Sequence, residues 1–312
     1  MSGKLSEVEG RIGTVHQLEA VITAMRGSAA ARSREARSRL DGIRAYAAAI
    51  GGAIGQALAL AREPDPQPRK PRGPERHVII VLCSEQGFAG SFNERVFDAA
   101  EHHLKTDGSE LLIVGDRGAM VAAERGLTFD WSAPMVAHAE EVPRVANRIT
   151  DALYSRLEKD QVERVTVIHA VPAPSTAIEI VERILLPFDF ARFKVAARSI
   201  PPITTLPPEQ LLAELAEEYV YAELCAAVML SFAAENEARM AAMIAARSNV
   251  VRKLDDLVAS FRRLRQEEIT GEIIELSAGS MLSAAKRKRG ALNLTKQRGG
   301  ADEGGPAHCG GG

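Results

Sequence analysis

The chain is 312 residues long with 46% hydrophobic and 26% charged side chains, which excludes a disordered protein and leaves room for a folded domain plus an extended element. Its 39 basic and 41 acidic residues give a net charge of −2, so there is no electrostatic case for nucleic acid as the main partner. Cys83, Cys225 and Cys309 lie far apart and lack any Cys-x-x-Cys or Cys/His ligand spacing, which points to a reducing compartment and to no metal.

From the N-terminal end, Leu5, Val8, Ile12, Val15, Leu18, Ile22, Met25 and Ala29 recur at steps of three and four. Such a 3.5-residue repeat lays a narrow apolar stripe on a helix, and a narrow stripe is buried by another helix rather than by a broad core. This first helix can run without a proline from Lys4 to Glu63, on the order of 90 Å. Lys4, Glu7, Glu9 and Arg11 interrupt any apolar run at its start, so no signal peptide is expected. The nearly uncharged stretch Ala45 to Ala61 is short, rich in alanine and glycine and contains Gln56, which suits a close-packed helix end rather than a membrane span. Arg32, Arg34, Arg37, Arg39 and Arg44 form a basic cluster on the same segment, which reads as a solvated helix face or as a contact surface for acidic neighbours.

Pro64 to Pro74 is rich in proline, arginine and lysine and marks a linker, over 64–76. The period then changes. His77 to Cys83 and Glu110 to Val114 are short apolar runs, each followed by a glycine-bearing turn and a helical stretch, the pattern of βαβ units with a parallel sheet. Helices are expected over Phe92 to Lys105, Arg117 to Arg125 and Glu140 to Lys159, and further strands over Arg164 to Ala170 and Ala177 to Leu186. The α/β domain then occupies 77–200. The turn Ser84 to Asn93 has glycines at 87 and 90, but fits neither G-x-G-x-x-G nor the Walker spacing, so it reads as a tight structural turn and not as a phosphate cradle.

Beyond Pro201 to Pro208, a second long helix is expected over 201–290, with Met240, Met243, Val250, Leu254, Leu257, Phe261 and Leu264 on its seam and Arg247 at the missing position. The tail 291–312 carries many glycines and no apolar surface to offset its ordering entropy, and is expected to be disordered. The two seams pair the chain's own ends. The fold class is therefore α/β: a long antiparallel coiled coil of an N-terminal shaft helix (1–63) and a C-terminal shaft helix, with a small Rossmann-like domain inserted between them.

No catalytic constellation emerges. The seven histidines are scattered, and the neighbours His102 and His103 are expected to face different ways on their helix. No Gly-x-Ser-x-Gly elbow is present. The reading is a chain without an active site, a cofactor or a metal.

The run Ala234-Glu235-Asn236-Glu237-Ala238-Arg239-Met240-Ala241-Ala242-Met243, followed by Leu264-Arg265-Gln266-Glu267-Glu268-Ile269-Thr270-Gly271-Glu272-Ile273, resembles the C-terminal helix of the gamma subunit of F-type ATP synthases. Ile12-Gly13-Thr14-Val15 and Val21-Ile22-Thr23-Ala24-Met25 resemble that family's first helix, and Ser84, Gly87, Gly90 and Asn93 match its turn. The resemblance covers Gly3 to Leu282 and is weakest in the middle domain. Thr23 stands where the family has lysine, Glu85 and Gln86 where it has an acidic-basic pair, and Ala89 where it has cysteine, which suggests a divergent branch, an alternative or sodium-linked ATPase.

The resemblance implies a non-catalytic rotor shaft coupling ion translocation to ATP synthesis or hydrolysis, peripheral on the cytoplasmic face of the bacterial inner membrane. It implies alpha and beta subunits, an epsilon subunit and a membrane ring of c subunits as partners. It also implies contacts with the catalytic subunits through Arg265, Gln266 and Thr270, others lower on the helix through Arg239 and Arg252, and one on the first helix through Met25, a residue that also suits seam packing. Two other readings of the residues are a coiled-coil adaptor unrelated to ATPases and a nucleotide-binding α/β enzyme with helical arms.

Overall fold

A computed structural model describes residues 2–61, 76–159, 162–173, 178–195 and 203–298. The first helix, α1, spans Ser2–Leu58, and the last, α5, spans Pro208–Arg298, 57 and 91 residues. Between them lie β1 (Arg76–Leu82), α2 (Phe92–Leu104), β2 (Ser109–Val114), α3 (Asp116–Glu124), β3 (Trp131–Ala133), α4 (Val142–Lys159), β4 (Val162–Val171) and β5 (Glu179–Leu186). Most of the expected linker, at 62–75, lies outside the described residues, as does the tail at 299–312. The helix α5 continues through Ala291 to Arg298, a stretch expected to be disordered.

The chain packs as two units, one formed by 20–248 and one by 1–19 with 249–312. In the larger unit α1 and α5 are antiparallel: Ser33 Oγ donates to Glu237 Oε1 at 3.0 Å, Arg37 pairs with the same carboxylate, and Tyr46 donates to Glu218, so α5 numbers fall as α1 numbers rise. A stripe of buried or half-buried positions on α1 steps by three and four, through Ile22, Met25, Ala29, Ser33, Ala36, Leu40, Ile43, Ala47, Ile50, Ile54 and Ala57, with some of their neighbours half-buried as well. Small residues recur on this stripe and permit close helix approach. The stretch Ala45 to Ala61 thus belongs to a packed helix end, and no helix among the described residues is long and apolar enough to cross a membrane.

In the smaller unit Leu5, Val8, Ile12 and Val15 of α1, and Val250, Leu254, Leu257, Phe261 and Leu264 of α5, are half-buried. Two seam expectations need correction. Leu18 is 48% exposed, and Glu19 is the half-buried residue there, because Val15 to Leu18 is a second step of three in succession and rotates the side chain off the stripe. Arg247 is likewise exposed while its neighbour Ala246 is half-buried.

The sheet has the order β3-β2-β1-β4-β5, parallel except for β4 against β5. Alternate residues of β1 serve two layers. Val78, Ile80 and Leu82 join α4 (Val145, Ile149), α5 (Leu224, Val228, Phe232) and α1 (Ala36, Leu40), while Ile79, Val81 and Cys83 join α2 (Val96, Phe97) and α3 (Val121). Both faces of the central strands are covered, which is why they read as continuous apolar runs. The expected helix from Glu140 begins instead with a 3₁₀ turn at Ala139–Glu141.

Candidate functional site

The order of the strands puts the switch point of this sheet beside the C-terminal end of β1, because the chain moves outward through β2 and β3 and then crosses back to β4. In open α/β sheets a nucleotide binds in the crevice at that point. Here the crevice holds the turn Ser84 to Asn93 and one stretch of α5. Asn93 Oδ1 accepts from the Ser84 backbone N–H at 2.9 Å, and Asn93 Nδ2 donates to Ser84 Oγ at 2.9 Å, which closes the turn with two buried side chains. Phe88 sits at its tip with φ of 63°, a left-handed conformation unusual for a non-glycine residue, and is 69% exposed.

From α5, Ser231 Oγ donates to the Leu82 carbonyl at 3.1 Å, capping the end of β1. One and two turns further on, Glu235 and Arg239 are 3% and 5% exposed and form an ion pair. The Arg239 guanidinium also donates to the carbonyls of Gln86 at 3.1 Å and Gly87 at 3.2 Å and to Asn236 Oδ1 at 3.3 Å. Burial pushes the Glu235 carboxyl above its usual range, opposed by Arg239 and by the backbone amides of Glu85 and Gln86. Its Oε1 is held by Arg239, while Oε2 has no hydrogen-bond partner among the described residues.

Glu85 completes the filling. Its Oε2 accepts from the backbone N–H of Met135 at 2.7 Å and of Asp116 at 3.2 Å, so the chain's own carboxylate sits at the N-terminus of α3, where an anion would dock. Gly115 brings β2 into α3 with φ of 111°, and a Cβ there would lie 2.6 Å from the Cys83 carbonyl. The geometry fastens α5 to the sheet through the turn, in place of a ligand.

The expected contact residues fall into two groups. Arg239 needs correction as an outward contact: its guanidinium is buried and bonded within the chain, and its role here is to hold α5. Met25 is half-buried on α1. Arg252, Arg265, Gln266 and Thr270 are all exposed on α5; Arg252 donates to Asn249 Oδ1, and Thr270 Oγ1 donates to the Gln266 carbonyl at 2.8 Å. His102 and His103 also depart from expectation, since their rings lie 3.7 Å apart and not on diverging faces. Sequence reasoning missed Ser231, Glu235 and Asn236 as parts of the lock. The available signal was an acid and a base four residues apart in an alanine-rich helix with few other charges.

A family model described as ATP synthase matches residues 4–281. The chain is similar to the ATP synthase gamma chains of Bdellovibrio bacteriovorus, 26% identical over 291 residues, and Renibacterium salmoninarum, 29% identical over 298 residues. These matches cover 88% and 90% of this chain and 97% and 98% of the relatives. The chain belongs to the ATP synthase gamma-chain family. Among solved structures, a chain of the rotor of Euglena gracilis mitochondrial ATP synthase aligns with a TM-score of 0.59 at 11% identity, covering 86% of this chain and all of that one. A chain of the OSCP/F1/c-ring assembly from the same source aligns at 0.60 and 9% identity, covering 99% of both. At such identities the likeness concerns the fold, and the gamma-chain fold is the one described above: two long antiparallel helices with a mixed α/β sheet between them in sequence.

Proposed function

We propose that this chain is the central rotor shaft of an F-type ATP synthase, coupling ion translocation through a membrane ring to ATP synthesis or hydrolysis in an alpha-beta hexamer. The observation that carries the reading is the family match across nearly the whole chain, joined to two long helices locked to a sheet whose ligand crevice is filled by the chain's own residues. In this reading the molecule acts through what it touches. An asymmetric shaft inside a threefold ring contacts each catalytic subunit differently, so its angle favours a different conformation in each nucleotide site. Torque is then differential binding energy.

In this reading the partners are the alpha and beta subunits, an epsilon subunit and the ring of c subunits, with the complex peripheral on the cytoplasmic face of a bacterial inner membrane. Arg252, Arg265, Gln266 and Thr270, exposed on α5, meet the catalytic subunits, and Met25 contributes from α1. Replacing Arg265 and Gln266 together by alanine in the assembled complex should lower ATP turnover about tenfold, the size of one lost charge-assisted hydrogen bond. Circular dichroism should show unchanged helix content. Unaltered turnover would return both residues to a solvated helix face, and failure of the chain to assemble with alpha and beta subunits would favour an unrelated adaptor.

A further inference from the structure

On the face of the sheet covered by α2 and α3, away from the lock, two histidines and a carboxylate converge. His102 and His103 close the last turn of α2, and Glu182 lies in the middle of β5, the edge strand, opposite Ile168 of β4. His103 Nε2 is 3.0 Å from Glu182 Oε2, and His102 Nε2 is 3.7 Å from the same oxygen. The three ligand atoms all lie within 4.8 Å of one another.

The geometry points to a binding site for a zinc-class divalent transition-metal ion, held by His102, His103 and Glu182. Three donors around one ion at about 2.0–2.2 Å lie roughly 3–4 Å apart, so the present separations need only small side-chain rotations. Two imidazoles and one carboxylate form a borderline-soft set that selects zinc, nickel or copper over magnesium or calcium, and three protein ligands leave further positions for water. The ligands stand on regular elements. His103 is further fixed by His77, whose ring meets it edge-on with centroids 5.1 Å apart and whose Nε2 lies 2.8 Å from Thr166 Oγ1 on β4. The His102 side chain is 61% exposed, so an ion has open access from solvent.

The bound ion would staple the end of α2 to the edge strand. On binding, each imidazole is neutral and ligates through Nε2 with its proton on Nδ1, a ring that starts as imidazolium releasing its second proton to solvent, and the carboxylate changes partner from imidazole to metal. An ion that binds only the folded chain raises its stability by mass action. The site does not depend on the rotor reading, since none of its three ligands is among the expected contact residues.

The test uses the full chain, freed of metal with a chelator and titrated with zinc chloride by calorimetry, beside His102→Ala and Glu182→Gln, two changes at exposed positions. One zinc ion per chain should bind. Each substitution should weaken binding at least about tenfold, the cost of disturbing even an outer partner of a metal site. Zinc at hundredfold excess over its dissociation constant should raise Tm by about 5 °C in the parent and not in the variants. Cobalt(II) should give a visible absorption band that both substitutions remove. Zinc binding that survives both changes, as binding at the terminal His308 and Cys309 would, overturns the assignment, and so does a parent chain whose Tm ignores zinc.

Discussion

Arg239 shows how one side chain decides the geometry of two elements. It is bonded to Glu235, Asn236 and the carbonyls of Gln86 and Gly87, and truncating it leaves a buried carboxylate and two carbonyls without partners. Arg239→Ala should therefore cost about 3–5 kcal/mol, read as a shift in urea midpoint. The double change Arg239→Met with Glu235→Leu should recover much of that loss, because it removes both charges from the interior. Equal losses in single and double variants would mean that the pair is not what fastens α5. A second buried group reports through pH. His169 is pushed down to about 4 by burial, with Arg183 acting in the same direction and its hydrogen bond to the Ala170 carbonyl opposing. The unfolded chain takes up this proton near pH 6.5 while the folded chain refuses it until about 4, so the stability is fully present above 6.5 and is lost as pH falls. Between pH 7 and pH 5 the loss should be about 2 kcal/mol, and His169→Gln should flatten the slope by that amount. An unchanged slope in that variant would show that the ring protonates freely in the fold.

Elements were legible where a period ran long. The seam of α1 is visible from Leu5 onward because the helix is paired along one stripe, and a stripe leaves a period in the sequence. The α5 segment from Val220 to Ala238 is different: it is buried by the sheet, α1 and the turn together, so nearly every residue is covered and the period fades. The strands β1, β2 and β4 showed as apolar runs, whereas Trp131 to Ala133 is too short to show any pattern and was missed. The final strand, expected without a direction, runs antiparallel to β4, since the few residues between Val171 and Glu179 cannot hold the crossover helix that a parallel neighbour needs. Of the site, the turn glycines were legible and the lock was not, for its partners lie about 150 residues apart. A pair of substitutions tests the corrected seam. Ile22→Ala removes a buried seam side chain and should cost about 2–5 kcal/mol in thermal or urea unfolding. Leu18→Ala should change stability by less than about 0.5 kcal/mol, because its side chain lies off the stripe. Comparable losses in both would restore Leu18 to the seam.

For the molecule as a whole, the surface states that the chain is a part. From Glu272 to Arg287 every described side chain of α5 is exposed, and among them Ile273 at 57%, Ile274 at 63%, Leu276 at 74% and Met281 at 75% are large and apolar. Among the described residues nothing covers these side chains, and exposed large apolar groups gathered in this way mark a surface that another protein covers. Isolated, the chain should self-associate in sedimentation, and Ile273→Gln, Ile274→Gln and Leu276→Gln together should make it monomeric. Coexpressed with alpha and beta subunits, it should enter a complex at one copy per hexamer, because a ring with threefold symmetry has one axis and one channel along it. The same triple variant should then assemble poorly, since each replaced side chain loses about 1.5–3 kcal/mol of burial in the channel. A parent chain that stays monomeric, and that hydrolyses ATP without partners, would overturn both the reading of α5 and the proposal that this molecule works by turning inside another.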